Sequence, residues 1–369
     1  MQEIERPNAT EKFRRFLNIA KFVRAQSARD KEAIESWGIQ TDQQIGATRS
    51  FLIYAPAYFL DRFSPEELRK MRFFELVTKF VFYVGVVGDD ILDNYGKAFT
   101  TVELNQKLDE AKQSNSYILL TSEEFLSRGI TSEQLSSPSR LLKPSMIGVD
   151  KVQLINKFMH DALDDNGLID NMPLSSEEIH KLKSSFIHGF NFNFETYLLE
   201  RKMVEDKGFQ NLNIDDWQTI ANAKAAKAFA SFKGVFSFFS HSEKQLEQII
   251  SVGEPFMMLA MYADDVKDLE IDWRRQPNIV SIIAKQYYPS EYAVLTEALD
   301  NDVNFYGIKG NLKLIKLIPH TLSYWRRLYF DQLNKAQETT VSLFPSVVLN
   351  FSSIVSRRLK GSSMKNLPK

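Results

Sequence analysis

The sequence predicts an all-α protein, and three observations point that way. Apolar residues recur at helical spacing along most of the chain, while the strict alternation of a half-buried strand is nearly absent. Helix-start signals precede several of these stretches, as at Ser64-Pro65 and in a Ser-x-x-Glu box from Ser175 to Glu178. Two aspartate clusters, Asp89-Asp90-Ile91-Leu92-Asp93 and Asp264-Asp265-Val266-Lys267-Asp268, each follow an apolar, helix-forming run.

Taken in order, Glu11–Ser36 reads as an amphipathic helix with Phe13, Phe16, Leu17, Ala20, Val23 and Ala28 near one stripe. Gly46–Leu60 and Pro65–Leu92 follow, the second long and increasingly apolar. Between Thr100 and Asp150 the Ser-rich stretches, Pro138, Pro144 and Gly148 predict short helices and loops. Val152–Leu163 is helical and stops at Asp165-Asn166-Gly167, and Ser175–Val204 is a long helix. Asp215–Ser240, Lys244–Leu269, Ile279–Ala284, Tyr292–Ala298, Leu312–Asn334 and Val341–Arg358 complete the set. No linker stands out, so residues 1–369 read as one domain, with 1–45 an N-terminal helical segment and the basic 357–369 a frayed tail.

Composition narrows the function classes. With 44% hydrophobic and 25% charged residues, the 369-residue chain can bury a substantial core. A net charge of −1 gives no electrostatic case for nucleic acid or an anionic membrane surface as partner. Zero cysteines exclude disulfides, thiolate catalysis and thiolate metal sites, and fit the reducing cytoplasm, the expected location. The polar Met1–Thr10 stretch holds no apolar signal core, and charges interrupt every apolar run, so no integral membrane segment is expected. The 28 Phe against 4 Trp are an aromatic supply beyond what a core requires.

The aspartates carry the chemistry. On a helix, Asp89 stacks with Asp93 and Asp264 with Asp268, and like charges at that spacing repel. Carboxylates beside an apolar interior cost several kcal/mol each unless neutralised. A solvated acidic face would explain one such cluster, but the apolar runs before both argue for a cation. Oxygen ligands without Cys point to Mg²⁺, with Mn²⁺ as an alternative, held by Asp89, Asp90, Asp93, Asp264, Asp265 and Asp268. Asp90 points about 100° away from Asp89 and is expected to matter less. Asp272 extends the second cluster to i+8, and which of Asp268, Glu270 and Asp272 completes its shell is open.

Two aspartate-rich motifs in a helical protein resemble the class I isoprenoid synthases, which comprise trans-prenyltransferases and class I terpene synthases. Lys224, within Ala221-Asn222-Ala223-Lys224-Ala225-Ala226, resembles the prenyltransferase lysine that contacts diphosphate. Gly46-Ala47-Thr48-Arg49 stands where those enzymes carry a Gly-Gly-Lys-Arg segment. The resemblance runs from about residue 46 to 275. It implies a single-domain helical bundle with a central cavity, a linear prenyl diphosphate substrate, several Mg²⁺ ions, and a homodimer as one form of assembly.

The departures favour a terpene cyclase over a chain-elongating enzyme. Thr48 replaces the segment's lysine and Phe51 its second arginine, so that Arg49 alone survives. Phe82, seven residues before Asp89, stands where the family often has an isopentenyl-binding histidine. An aromatic face stabilises a carbocation, by about 2 kcal/mol when desolvated, and cannot hold an anion. The expected reaction is therefore ionisation of a prenyl diphosphate and cyclisation or quenching of the cation, with Asp89, Asp90, Asp93 and Phe82 as catalytic groups. Chain elongation by a prenyltransferase is the alternative, kept open by the intact D-D-x-x-D at Asp264.

Several further residues are candidates. Arg201, Arg274 and Arg327 could bind diphosphate with Lys224 and Arg49, and Arg326 competes with Arg327. Asn301-Asp302-Val303-Asn304 begins like a terpene-synthase metal triad, but Phe305 and Lys309 fill its other positions, so a loop is expected. Asp161, Asp164 and Asp165 beside His160 precede Asn-Gly and read as a helix end. Phe190, Phe229, Phe232 and Phe236 read as core more readily than as a substrate box.

Overall fold

A computed structural model describes residues 79–137, 148–237, 268–301 and 307–343, with Leu76, Glu247 and positions 254–255, 257–259, 261–266, 303 and 305. All regular structure among them is helical, with no strand, as the periodicity predicts. Arg49, the helices expected at Glu11–Ser36 and Gly46–Leu60, and the basic tail lie outside the described residues.

The contacts divide the chain into two compact units. The first holds the described residues up to Leu198 together with the end of the Ile214–Ser237 helix from Ala230, and the second holds Leu199–Phe229 and the residues from Glu247 on.

In the first unit, the end of the expected Pro65–Leu92 helix departs from α geometry. Val81–Val87 is a π-helix whose N–H groups reach back five residues, and Gly88 N–H closes on the Tyr83 carbonyl. The Asn193 amide, from the helix Ser176–Lys207, donates to the Val84 carbonyl at 2.9 Å, a side chain inserted at the ladder. The α-helix Gly88–Tyr95 then carries the first aspartate cluster. It ends at Gly96, where Tyr197 packs so closely that a Cβ would lie 2.6 Å from the Tyr197 hydroxyl.

The stretch expected to hold short helices contains Thr101–Gln113, Ser122–Ser127 and Ser132–Leu135. A threonine caps each one, with Glu103, Glu124 or Gln134 returning a bond to the cap's own N–H. Lys151–Leu163 is capped by Asp150 and ends at Asp164, so the acidic group there is a helix end, with His160 paired to Asp164 and Lys157 to Asp161. The Ser175–Glu178 box starts the Ser176–Lys207 helix as predicted. Aromatic pairs fill the core, among them Phe80 on Phe186, Tyr83 on Phe158 and Phe99 edge-on to Phe125. Phe190 is likewise buried, between Tyr117 and Phe194.

In the second unit the helix expected over Lys244–Leu269 does not run through. Positions 261–266 are helical, Asp268 is a bend, and a short helix Leu269–Asp272 follows. The expected Leu312–Asn334 helix is two helices, Gly307–Leu317 and Pro319–Leu343, because Pro319 has no N–H to continue the first. The buried Glu291 carboxylate accepts the next two N–H groups, of His320 at 2.9 Å and Thr321 at 2.8 Å, and so caps the new helix. Asn301 ends the helix Pro289–Asp300 and Val303 is not helical, while Asp302 and Asn304 of the triad-like stretch lie outside the described residues. Ile279, Val280 and Ile283 are fully buried, and Trp325 donates to the Tyr262 carbonyl at 3.0 Å.

Candidate functional site

The first cluster is split by its own helix. Ile91 and Leu92 are buried, while Asp89 and Asp93, four residues apart, share an exposed face. Asp90 turns to protein donors instead. Its Oδ2 accepts from Lys151 Nζ at 2.5 Å and its Oδ1 from Asn94 Nδ2 at 3.2 Å. Lys151 is only 1% exposed and also lies 5.6 Å from the Tyr95 ring centroid. Phe82 belongs to the π-helical turn, so the two α-turns expected between it and Asp89 are not kept, and its side chain lies outside the described residues.

The second cluster surrounds a helix break. Asp268 N–H bonds the Asp264 carbonyl at 2.7 Å and Asp272 N–H bonds that of Asp268 at 2.9 Å, so the backbone keeps its four-residue hydrogen bonds through the bend. Asp265 faces the helix Ile279–Tyr287, where its Oδ2 accepts the Ile279 N–H at 2.7 Å. Buried Asn278 caps that helix and donates to both the Asp265 carbonyl, at 2.7 Å, and Asp272 Oδ2, at 2.8 Å. Glu270 accepts the Phe305 N–H and is thereby committed to the loop after Asn301.

Burial dominates the electrostatics here. Desolvation pushes Asp265 well above the ordinary carboxylate range, against the Ile279 hydrogen bond and the positive charge of Lys224. Asp272 is pushed up to about 7, chiefly by burial and further by the negative charges of Asp268 and Glu200, while Asn278 and Lys224 oppose the rise. A cation would relieve this crowding.

The expected diphosphate ligands are placed unequally. Lys224 pairs with Glu200 at 2.5 Å and acts electrostatically on Asp265 and Asp272, so it belongs to the second cluster. Arg201 pairs with Glu205 one helical turn away at 2.7 Å. Arg274, 61% exposed, pairs with Asp300 at 2.8 Å, which Trp273 also contacts. Arg326 lies over the Phe330 ring at 5.4 Å and exposed Arg327 over Tyr324 at 5.0 Å.

Lys151, Asn278, Glu200 and Trp217, whose indole donates to Asp265, are site residues that sequence reasoning missed. Asn278 alone carried a local signal, as an Asn before the apolar Ile279-Val280 start of a helix. Beneath the first cluster, Ile91, Leu92, Phe190 and Phe194 line an apolar cavity of about 30 Å³, with room for a water and not for a prenyl chain.

Among the described residues, no three His, Asp or Glu side chains are gathered so as to hold an ion by themselves. None of the described helices is long and apolar enough to cross a membrane. Comparison with protein-family models, curated proteins and solved structures finds no match to this chain.

Proposed function

We propose that the protein is a class I terpene synthase that ionises a linear prenyl diphosphate, cyclises or quenches the carbocation and releases pyrophosphate. One observation carries the reading: both clusters divide in the same way. In each, the first and i+4 residues lie one backbone turn apart, Asp89 before Asp93 and Asp264 before Asp268, while the second carboxylate accepts from a donor on a neighbouring helix, Asp90 from Lys151 and Asp265 from the Ile279 N–H. Two carboxylates per cluster fit Mg²⁺, which binds through one or two carboxylates and fills its shell with water and substrate phosphate. Protein cages of three or more carboxylates are not its habit.

Asp89, Asp93, Asp264 and Asp268 would hold the ions, and bound Mg²⁺ would supply Lewis-acid neutralisation of the leaving diphosphate. Lys224 adds positive charge beside the second cluster. Lys224, though paired with Glu200, acts electrostatically on Asp265 and Asp272, whereas Arg274 pairs with Asp300 and Arg201 with Glu205, which makes the arginines weaker candidates for gripping a phosphate at this cluster. Aromatic side chains would shield the cation from water.

Thermal melting with Mg²⁺ and inorganic pyrophosphate tests the reading against that of a non-catalytic scaffold. A ligand at 100 times its Kd adds about 2.7 kcal/mol to the folded state, enough to raise Tm by several degrees. An unchanged Tm with both Mg²⁺ and Mn²⁺ would speak for the scaffold. The second reading, a prenyltransferase, is favoured by the D-D-x-x-D at Asp264 and requires product formation to depend on added isopentenyl diphosphate or another acceptor.

A further inference from the structure

We propose that Lys151 is a positioning residue that takes Asp90 out of the metal-binding set and fixes the rotation of the Asp89/Asp93 face. The inference rests on the metal reading above and adds a division of labour within the first cluster.

Lysine is almost never fully buried unless it is paired, and Lys151 is 1% exposed. It pairs with Asp90, whose side chain is 25% exposed, at 2.5 Å. Both Asp90 oxygens are engaged, Oδ2 by Lys151 and Oδ1 by Asn94. Recruiting Asp90 to an ion would strip the counter-charge from a lysine that has no water to turn to, and that is expensive.

The pair also joins two elements. Lys151 begins the Lys151–Leu163 helix, which packs on both the Gly88–Tyr95 helix and the π-helical turn before it. Tyr95, five residues beyond Asp90 on the same helix, has its ring 5.6 Å from the lysine and is itself held through its hydroxyl to the Gln134 carbonyl at 2.8 Å. With Asp90 and Tyr95 fixed, the Gly88–Tyr95 helix cannot turn about its axis, and Asp89 and Asp93 stay on the exposed side. Lys151 thus acts on the ion through the helix that presents its ligands, as outer-shell partners do in other metal sites.

Calorimetric titration of Mg²⁺ in the presence of inorganic pyrophosphate tests this on four proteins, each checked for helicity by circular dichroism. Wild type binds, and Asp89→Asn loses a ligand and with it nearly all affinity. Asp90→Asn costs stability, because buried Lys151 loses its counter-charge, but it still offers the lysine an acceptor that holds the helix in place, so the Mg²⁺ affinity of the folded protein stays within a few-fold of wild type. The pair Asp90→Leu with Lys151→Met removes both charges together and so folds, yet frees the helix, and affinity falls about 10–100-fold. Asp90→Asn binding as weakly as Asp89→Asn would make Asp90 a ligand and overturn the proposal, as would wild-type affinity in the double variant. A wild-type protein that binds no Mg²⁺ would overturn the metal reading itself, and the positioning role with it.

Discussion

The Asn278 amide nitrogen lies 2.8 Å from Asp272 Oδ2 while donating also to the Asp265 carbonyl oxygen at 2.7 Å. One buried side chain thus ties the last carboxylate of the second cluster to the backbone of its middle aspartate, and its own Oδ1 caps the Ile279–Tyr287 helix at Val280 N–H. Asn278→Ala removes all three bonds and leaves buried acceptors unsatisfied, at a cost of about 1–3 kcal/mol. Urea unfolding of the metal-free protein measures it, and a loss below ~0.5 kcal/mol would mean that the bridge contributes little.

Asp272 gives the metal-free protein a pH dependence of definite sign. Its pKa is about 7 in the folded state against an ordinary value of 3.8, so the folded protein binds the extra proton. This contribution to stability is fully present below pH ~4 and is lost as pH rises through ~7, at up to about 1.4 kcal/mol per pH unit. Asp265 acts in the same direction. Asp272→Asn is expected to flatten the fall in stability between pH 4 and 7 and to be more stable than wild type at pH 8. Parallel stability–pH curves for the two proteins would contradict the assignment.

Much of the fold is legible in the sequence because helix ends are written locally. The Ser175–Glu178 box and the Asn166-Gly167 turn both mark real boundaries. The three threonine caps at Thr100, Thr121 and Thr131 are also local signals, obscured by the serines around them. The π-helix at Val81–Val87 is another matter, since it depends on hydrogen-bond partners and leaves no mark on apolar spacing. The aspartate clusters are visible as motifs, but the fate of each carboxylate is tertiary. Only the fold brings Lys151 to Asp90, Asn278 to Asp272 and the Phe305 N–H to Glu270.

Gly96 is set by a close approach. A methyl group there would meet the Tyr197 hydroxyl at 2.6 Å and its ring at 2.7 Å. Gly96→Ala is expected to destabilise by about 1–3 kcal/mol through overpacking, and adding Tyr197→Ala is expected to recover part of the loss. Additive losses in the double variant, measured by denaturation, would refute the contact.

Arg274 and Lys224 should differ in their response to substitution. Arg274 has a φ of +59° and pairs with Asp300 at the surface, so Arg274→Gly relieves the backbone and stays within about 0.5 kcal/mol of wild type. Its pyrophosphate affinity in Mg²⁺ is expected to be unchanged. Lys224→Ala is expected to weaken that affinity about tenfold or more, because it removes the cation beside Asp265 and Asp272. Calorimetry in Mg²⁺ separates the two, and the reverse order would shift the diphosphate site to Arg274.

Terpene synthase activity is tested by incubating the purified protein with geranyl, farnesyl and geranylgeranyl diphosphates in Mg²⁺ and analysing the extract by gas chromatography with mass detection. A hydrocarbon or alcohol is expected from at least one of them, formed without isopentenyl diphosphate and accompanied by pyrophosphate. Asp89→Ala and Asp264→Ala should each remove this product while leaving the fold intact. No product from any of the three substrates, or full activity in either variant, would contradict the proposed function.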